Sequence, residues 1–191
     1  MRNSLFQTLD NATVAAFAGA FAAFVLVAAT DWRRRRRSKR QPSFLISDNA
    51  DLARAKHRTV QNSIDMMRED NKFAPAPIMP FPVAAIKTKH VEVIDLLDSN
   101  ENQGLGALIY WMEAIDSLLA EILSTAKHLQ QAIELDADTP TRARIGKRIL
   151  SDLDDAARNL GFLIQMCDWY VAGTPHKILE MQHPILNRGD T

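Results

Sequence analysis

Two stretches of this chain repeat apolar residues at alternating intervals of three and four, and this spacing restricts the fold more than any other feature. The spacing is a heptad pattern, which places the apolar residues of each stretch on one face of an α-helix. The first seam consists of Leu105, Leu108, Met112, Ile115, Leu119, Ile122, Ala126, Leu129 and Ile133, and the second of Ile149, Leu153, Ala156, Leu160, Leu163, Cys167 and Tyr170. The sequence therefore predicts two long amphipathic helices.

A short break separates the two seams. Thr139 and Pro140 lie at its end, where they are typical of an N-cap and a first helical residue. Two helices joined by a short turn fold back on each other, so we expect an antiparallel hairpin in a helical domain at 83–175. Apolar flanks on both seams leave open whether the hairpin packs on earlier helices of the chain or on a second copy. We assign the core to Leu108, Ile115, Ile122, Leu153, Leu160 and Leu163.

The N-terminal part contains a run of twenty residues without charge, between Asp10 and Asp31. Twenty helical residues rise about 30 Å, which is the thickness of the hydrocarbon core of a bilayer. We therefore expect one transmembrane helix at 11–31, with residues 1–10 outside the inner membrane of a bacterium and the helical domain in the cytoplasm. A cleaved signal peptide is the alternative, but its positive charges would precede the apolar run rather than follow it.

A basic collar follows the run and, with a short connector, covers 32–46. Cationic loops stay on the cytoplasmic side and bind anionic lipid headgroups, so the collar predicts a membrane-interface site. Its residues are Trp32, Arg33, Arg34, Arg35, Arg36, Arg37, Lys39 and Arg40. The collar also resembles a nucleic-acid patch. However, residues 41–191 carry 15 basic and 21 acidic side chains, a net charge of −6, which argues against a nucleic-acid partner.

Small residues recur every four positions within the charge-free run, at Ala15, Gly19 and Ala23. Such a stripe lets helices approach closely in lipid, so it is a candidate packing face for oligomerisation. The alternative is that any alanine-rich segment shows this spacing by chance.

The segments between the run and the hairpin have distinct compositions. We expect an amphipathic helix at 47–73, a proline-rich spacer at 74–82 and a tail at 176–191. Residues 83–98 are predicted to be helical, although Val91–Ile94 is also compatible with a short strand.

No residue pattern in the chain matches a known catalytic, metal or cofactor site. Glu113 with Asp116, and Asp152 with Asp155, form carboxylate pairs on helices, but neither pair has the histidine that di-metal bundle sites use. The single cysteine, Cys167, excludes an internal disulfide and falls within a seam. We therefore expect neither an enzyme nor a bound metal or cofactor.

The combined features favour a membrane-anchored helical interaction or scaffold protein, with a homo-oligomer or another protein as its partner. The alternative hypothesis is a small membrane-active effector (stress, phage-linked or toxin-like) that oligomerises through its transmembrane helix.

Overall fold

The computed structural model describes residues 11–70, 79–135 and 138–181, with side chains described except at 11–20, 35, 37–39 and 70. Its helices are α1 (Asn11–Asp70), α2 (Val83–Val93), α3 (Ser99–Glu134), α4 (Thr139–Val171) and α5 (His176–Glu180), and a 3₁₀ turn covers Ile94–Leu96. The predicted all-α class is confirmed. These ranges contain no strand, and the Val91–Ile94 segment is the end of α2 and the start of the turn.

The chain divides into two compact units, Met1–Arg40 and Gln41–Thr191. The described part of the first unit is helical from Asn11 onward. The second unit contains the remaining helices and the hydrophobic core. The predicted connector at 41–46 is helical, because α1 continues through Pro42. Of the proline-rich spacer, 74–78 lies outside the described residues, as do residues 1–10 and the tail from 182 onward.

The structure corrects the predicted place of the protein in the cell. Among the described residues, no helix combines the length and the apolar character that crossing a membrane requires. α1 continues through Asp31 and the arginines. On this finding the inner-membrane localisation is wrong, and the transmembrane helix at 11–31 has no support.

The core of the second unit lies between α3, α4 and the part of α1 from Gln41 onward. α3 and α4 pack against each other along their length and form the helical hairpin. The buried apolar residues of α1 belong to the same cluster as the hairpin seams, so one chain closes this bundle. Burial of this cluster is the main favourable contribution to folding.

Local sequence determines where the helices of the hairpin begin and end. Asp98 caps α3 by accepting from the backbone N–H of Glu101, while the Glu101 carboxylate accepts from the backbone N–H of Asp98. This reciprocal pair is a capping box. Asp138 caps α4, one residue before the predicted Thr139. After α4, Gly173 has a φ of +73°, a conformation that glycine adopts without strain.

Candidate functional site

The first unit presents an apolar segment, Phe21–Ala29, on α1. All nine of its residues are exposed, and Phe21 and Leu26 each keep about 70% of their surface open to solvent. An amphipathic helix exposes one polar face, but this segment is apolar on every face. It is therefore a candidate surface for contact with another molecule.

Basic residues follow the apolar segment on the same helix. The structure places Trp32, Arg33, Arg34, Arg36 and Arg40 at exposed positions. The Arg36 guanidinium lies over the Trp32 ring, 5.2 Å from its centroid, in a cation–π contact. The side chains of Arg35, Arg37 and Lys39 lie outside the described residues. So do those of Ala15 and Gly19, two of the three predicted packing residues, whereas Ala23 is exposed within the apolar segment.

In the second unit the predicted core residues lie within the bundle. Leu108, Ile115, Ile122, Leu153, Leu160 and Leu163 each have no more than 3% of their surface exposed. α1 contributes its own heptad to this core, in which apolar Ile46, Ala53, Val60 and Met67 recur every seven residues. Three buried polar residues, Asn49, Lys56 and Ser63, recur at the same interval beside them.

Lys56 is the charged member of this polar stripe and joins three segments. Its Nζ lies 2.5 Å from Oδ1 of Asp116 on α3 and 3.7 Å from the ring centroid of Phe81. The other oxygen of Asp116, Oδ2, accepts a hydrogen bond from the backbone N–H of Phe81 at 2.7 Å. Lys56 is only 3% exposed, and this burial lowers its pKa despite the ion pair with Asp116.

A lysine with a lowered pKa is also the type of residue that forms Schiff bases in enzymes. Here the amine lies against the Phe81 ring and is paired with Asp116. The contacts among Lys56, Asp116 and Phe81 instead hold the segment before α2 against α1 and α3. The sequence offered one signal for it, the position of Lys56 in the α1 heptad.

The second unit has an open cavity where the two hairpin helices join, which we name the tip cavity. Its volume is about 540 Å³. It is lined by Met67 from α1, Leu129 and Ile133 from α3, and Thr139, Arg142, Ala143, Gly146, Lys147 and Leu150 from α4. The cavity thus has an apolar wall and two basic side chains. It could not be predicted from local sequence patterns, because its lining comes from three separate helices.

The predicted carboxylate pairs are engaged by cations. Glu113 pairs with Lys87 and Asp116 with Lys56, so the two carboxylates point to different partners. On α4, Asp152 lies 3.7 Å from Arg148, and Asp155 lies 3.4 Å from Arg158. The described part of the chain holds no group of three or more histidine, cysteine and acidic side chains arranged for a metal.

Cys167 is fully buried in the core. Burial raises the pKa of its thiol to about 12, and the nearby Asp168 carboxylate adds to the shift. The thiol is therefore protonated at neutral pH, and the thiolate needed for nucleophilic chemistry is scarce. Burial likewise raises the pKa of Tyr170.

Comparisons with known proteins identify no relative of this chain. No family model, curated protein or solved structure matches it. The apolar segment and the tip cavity are the two candidate functional surfaces among the described residues.

Proposed function

We propose that this chain is a helical interaction protein that associates with other protein surfaces through the apolar segment. The observation that carries this proposal is the exposure of all nine residues from Phe21 to Ala29. A helix that is apolar on every face belongs in an interior, because exposing it to water costs free energy in proportion to its apolar area. Contact with another protein would remove this area from water.

The charge distribution supports self-association as the form of this interaction. The exposed Arg33, Arg34 and Arg36 follow the apolar segment directly, so a surface that covers the segment also meets a positive charge. Residues 41–191 of the same sequence carry a net charge of −6. A second copy thus supplies both an equivalent apolar segment and an acidic body, and such complementarity favours correct association.

The test is the mass of the full-length chain in aqueous buffer, measured by sedimentation velocity over a range of concentrations. We expect an oligomer for the wild type and a monomer for the triple variant Phe21→Ser, Phe24→Ser and Leu26→Ser. The matched control is Val91→Ser on α2, an apolar residue that is 74% exposed in the other unit, and it should assemble as the wild type does.

Two results would contradict the proposal. A wild-type chain that stays monomeric at all concentrations would show that the apolar segment does not mediate self-association. A chain that remains in solution only in the presence of detergent would show that something other than protein covers the segment. Circular dichroism of each variant checks that the bundle remains folded, so that a loss of assembly is not mistaken for unfolding.

A further inference from the structure

Phe81 attaches the segment before α2 to the buried ion pair of the second unit. Its backbone N–H donates to Oδ2 of Asp116 at 2.7 Å, and its ring centroid lies 3.7 Å from Nζ of Lys56. The same Asp116 carboxylate accepts from Lys56 through Oδ1. One carboxylate therefore joins this segment to both α1 and α3, and the Phe81 ring lies against an amine whose residue is only 3% exposed.

The helix that follows Phe81 buries few side chains of its own. α2 has 11 residues and buries Val83, Ile86 and Val93, whereas α3 and α4 each bury 10 residues. The N-terminus of α2 has no side-chain cap, in contrast to those of α3 and α4. Helices shorter than about 12 residues are marginal in water on their own, so α2 depends on its contacts with the bundle.

The side-chain contacts further along α2 are polar. Lys87 pairs with Glu113 on α3, and each of these side chains is about half exposed. His90 lies within hydrogen-bond distance of Asn102. Exposed ion pairs add little stability, so α2 is held mainly by its three buried apolar residues and by the contacts of Phe81. Elements with few buried contacts are the ones that open locally before a domain unfolds.

We propose that residues 79–93, which we name the strap, open from the bundle as one unit and act as a cover over the Lys56 amine. In the closed state Asp116 and Lys56 hold Phe81, and through it the strap, against α3 and α1. In the open state the ring leaves the amine, which then becomes accessible to other molecules. The inference goes beyond the proposed self-association and is independent of it, because all of these residues belong to the second unit.

Two rates measured on the full-length chain report the opening. Hydrogen exchange read by mass spectrometry follows the amides of α2, and acetylation by the N-hydroxysuccinimide ester of acetic acid follows the Lys56 amine. The exposed Lys127 on α3 is the internal reference for the reagent. We expect the α2 amides to exchange faster than those of the α3 and α4 seams, and Lys56 to be acetylated at least about tenfold more slowly than Lys127.

Phe81→Ala weakens the closed state of the strap while keeping the backbone N–H that donates to Asp116. Loss of a buried aromatic ring should raise both the exchange rate of the α2 amides and the acetylation rate of Lys56 by at least about tenfold. Met79→Ala is the matched control, since Met79 belongs to the same strap but is 73% exposed. It should leave both rates within about twofold of the wild type.

Ile149→Val separates opening of the strap from unfolding of the whole bundle. Ile149 is a fully buried seam residue of α4, so its truncation should speed exchange of the seam amides by roughly two- to tenfold. The strap opens without disturbing this contact, so Lys56 acetylation and α2 exchange should keep their wild-type rates.

Three outcomes would overturn the proposal. The first is a wild-type Lys56 that is acetylated as fast as Lys127. The second is an Ile149→Val variant in which Lys56 acetylation rises as much as seam exchange, because the amine would then be exposed only by unfolding of the bundle. The third is a Phe81→Ala variant with the same rates as Met79→Ala. All of these chains share an intact apolar segment, so a monomeric wild type would leave the comparison unchanged, and the two proposals fail separately.

Discussion

At the scale of single residues, Lys56 is the position where the core departs most from an apolar design. It occupies a heptad position of α1, is 3% exposed, and is held by Asp116 and the ring of Phe81. Removing two charges from water costs several kcal/mol, and a buried ion pair often recovers no more than this cost. The pair therefore adds little net stability. Removing Asp116 alone and removing Lys56 alone should, however, change the free energy of unfolding by different amounts.

The asymmetry gives a prediction for the two partners. Asp116→Asn leaves the Lys56 ammonium buried without its counterion and should lower the free energy of unfolding by about 2 kcal/mol or more. Lys56→Met replaces the amine with an apolar side chain of similar length and should stay within about 1 kcal/mol of the wild type. Urea denaturation followed by circular dichroism measures both values.

A double variant serves as the control for this pair. Once Lys56→Met has removed the ammonium, Asp116→Asn should cost clearly less than it does alone, because no buried charge is left unpaired. The idea that Asp116 neutralises Lys56 fails if the cost of Asp116→Asn is the same in both backgrounds.

At the scale of helices, the apolar seams of α3 and α4 could be predicted from the sequence. The heptad of α1 could be predicted only in part. The α3 and α4 seams consist of large apolar residues at nearly every position, so the three–four spacing is visible in the sequence. In α1 the pattern is obscured by alanines and by the polar stripe at Asn49, Lys56 and Ser63. The predicted connector at 41–46 is part of α1, which continues through Pro42 and buries Ile46 in the core.

The capping box of α3 gives a prediction at this scale. Asp98→Ala removes the acceptor for the Glu101 backbone N–H and should lower the free energy of unfolding by about 1 kcal/mol. Asp95→Ala is the control, since Asp95 is also exposed and acidic but lies in the 3₁₀ turn before the cap. Thermal denaturation of both variants provides the comparison, and equal losses would show that the effect is one of surface charge and not of capping.

At the scale of the whole molecule, the all-α class followed from the sequence, whereas the cavity and the place of the protein in the cell did not. The heptads restrict the second unit to packed helices, because each seam needs a partner. The tip cavity depends on where three helices end relative to each other, which no local pattern encodes. The transmembrane helix was predicted from the length of the charge-free run and the basic residues after it, and these features do not distinguish a membrane helix from an apolar protein contact.

The bundle as a whole depends on the face that carries Ile115, a fully buried residue at the middle of α3. Ile115→Asp places a carboxylate among apolar side chains and should unfold the second unit, because the cost of burying it is comparable to the stability of a typical domain. Ile115→Ala gives a measurable intermediate, with a loss of about 2–5 kcal/mol in urea denaturation. Val91→Asp, at an exposed position, should remain within about 0.5 kcal/mol of the wild type. If both Ile115 variants keep the wild-type midpoint, the core of the protein lies on another face.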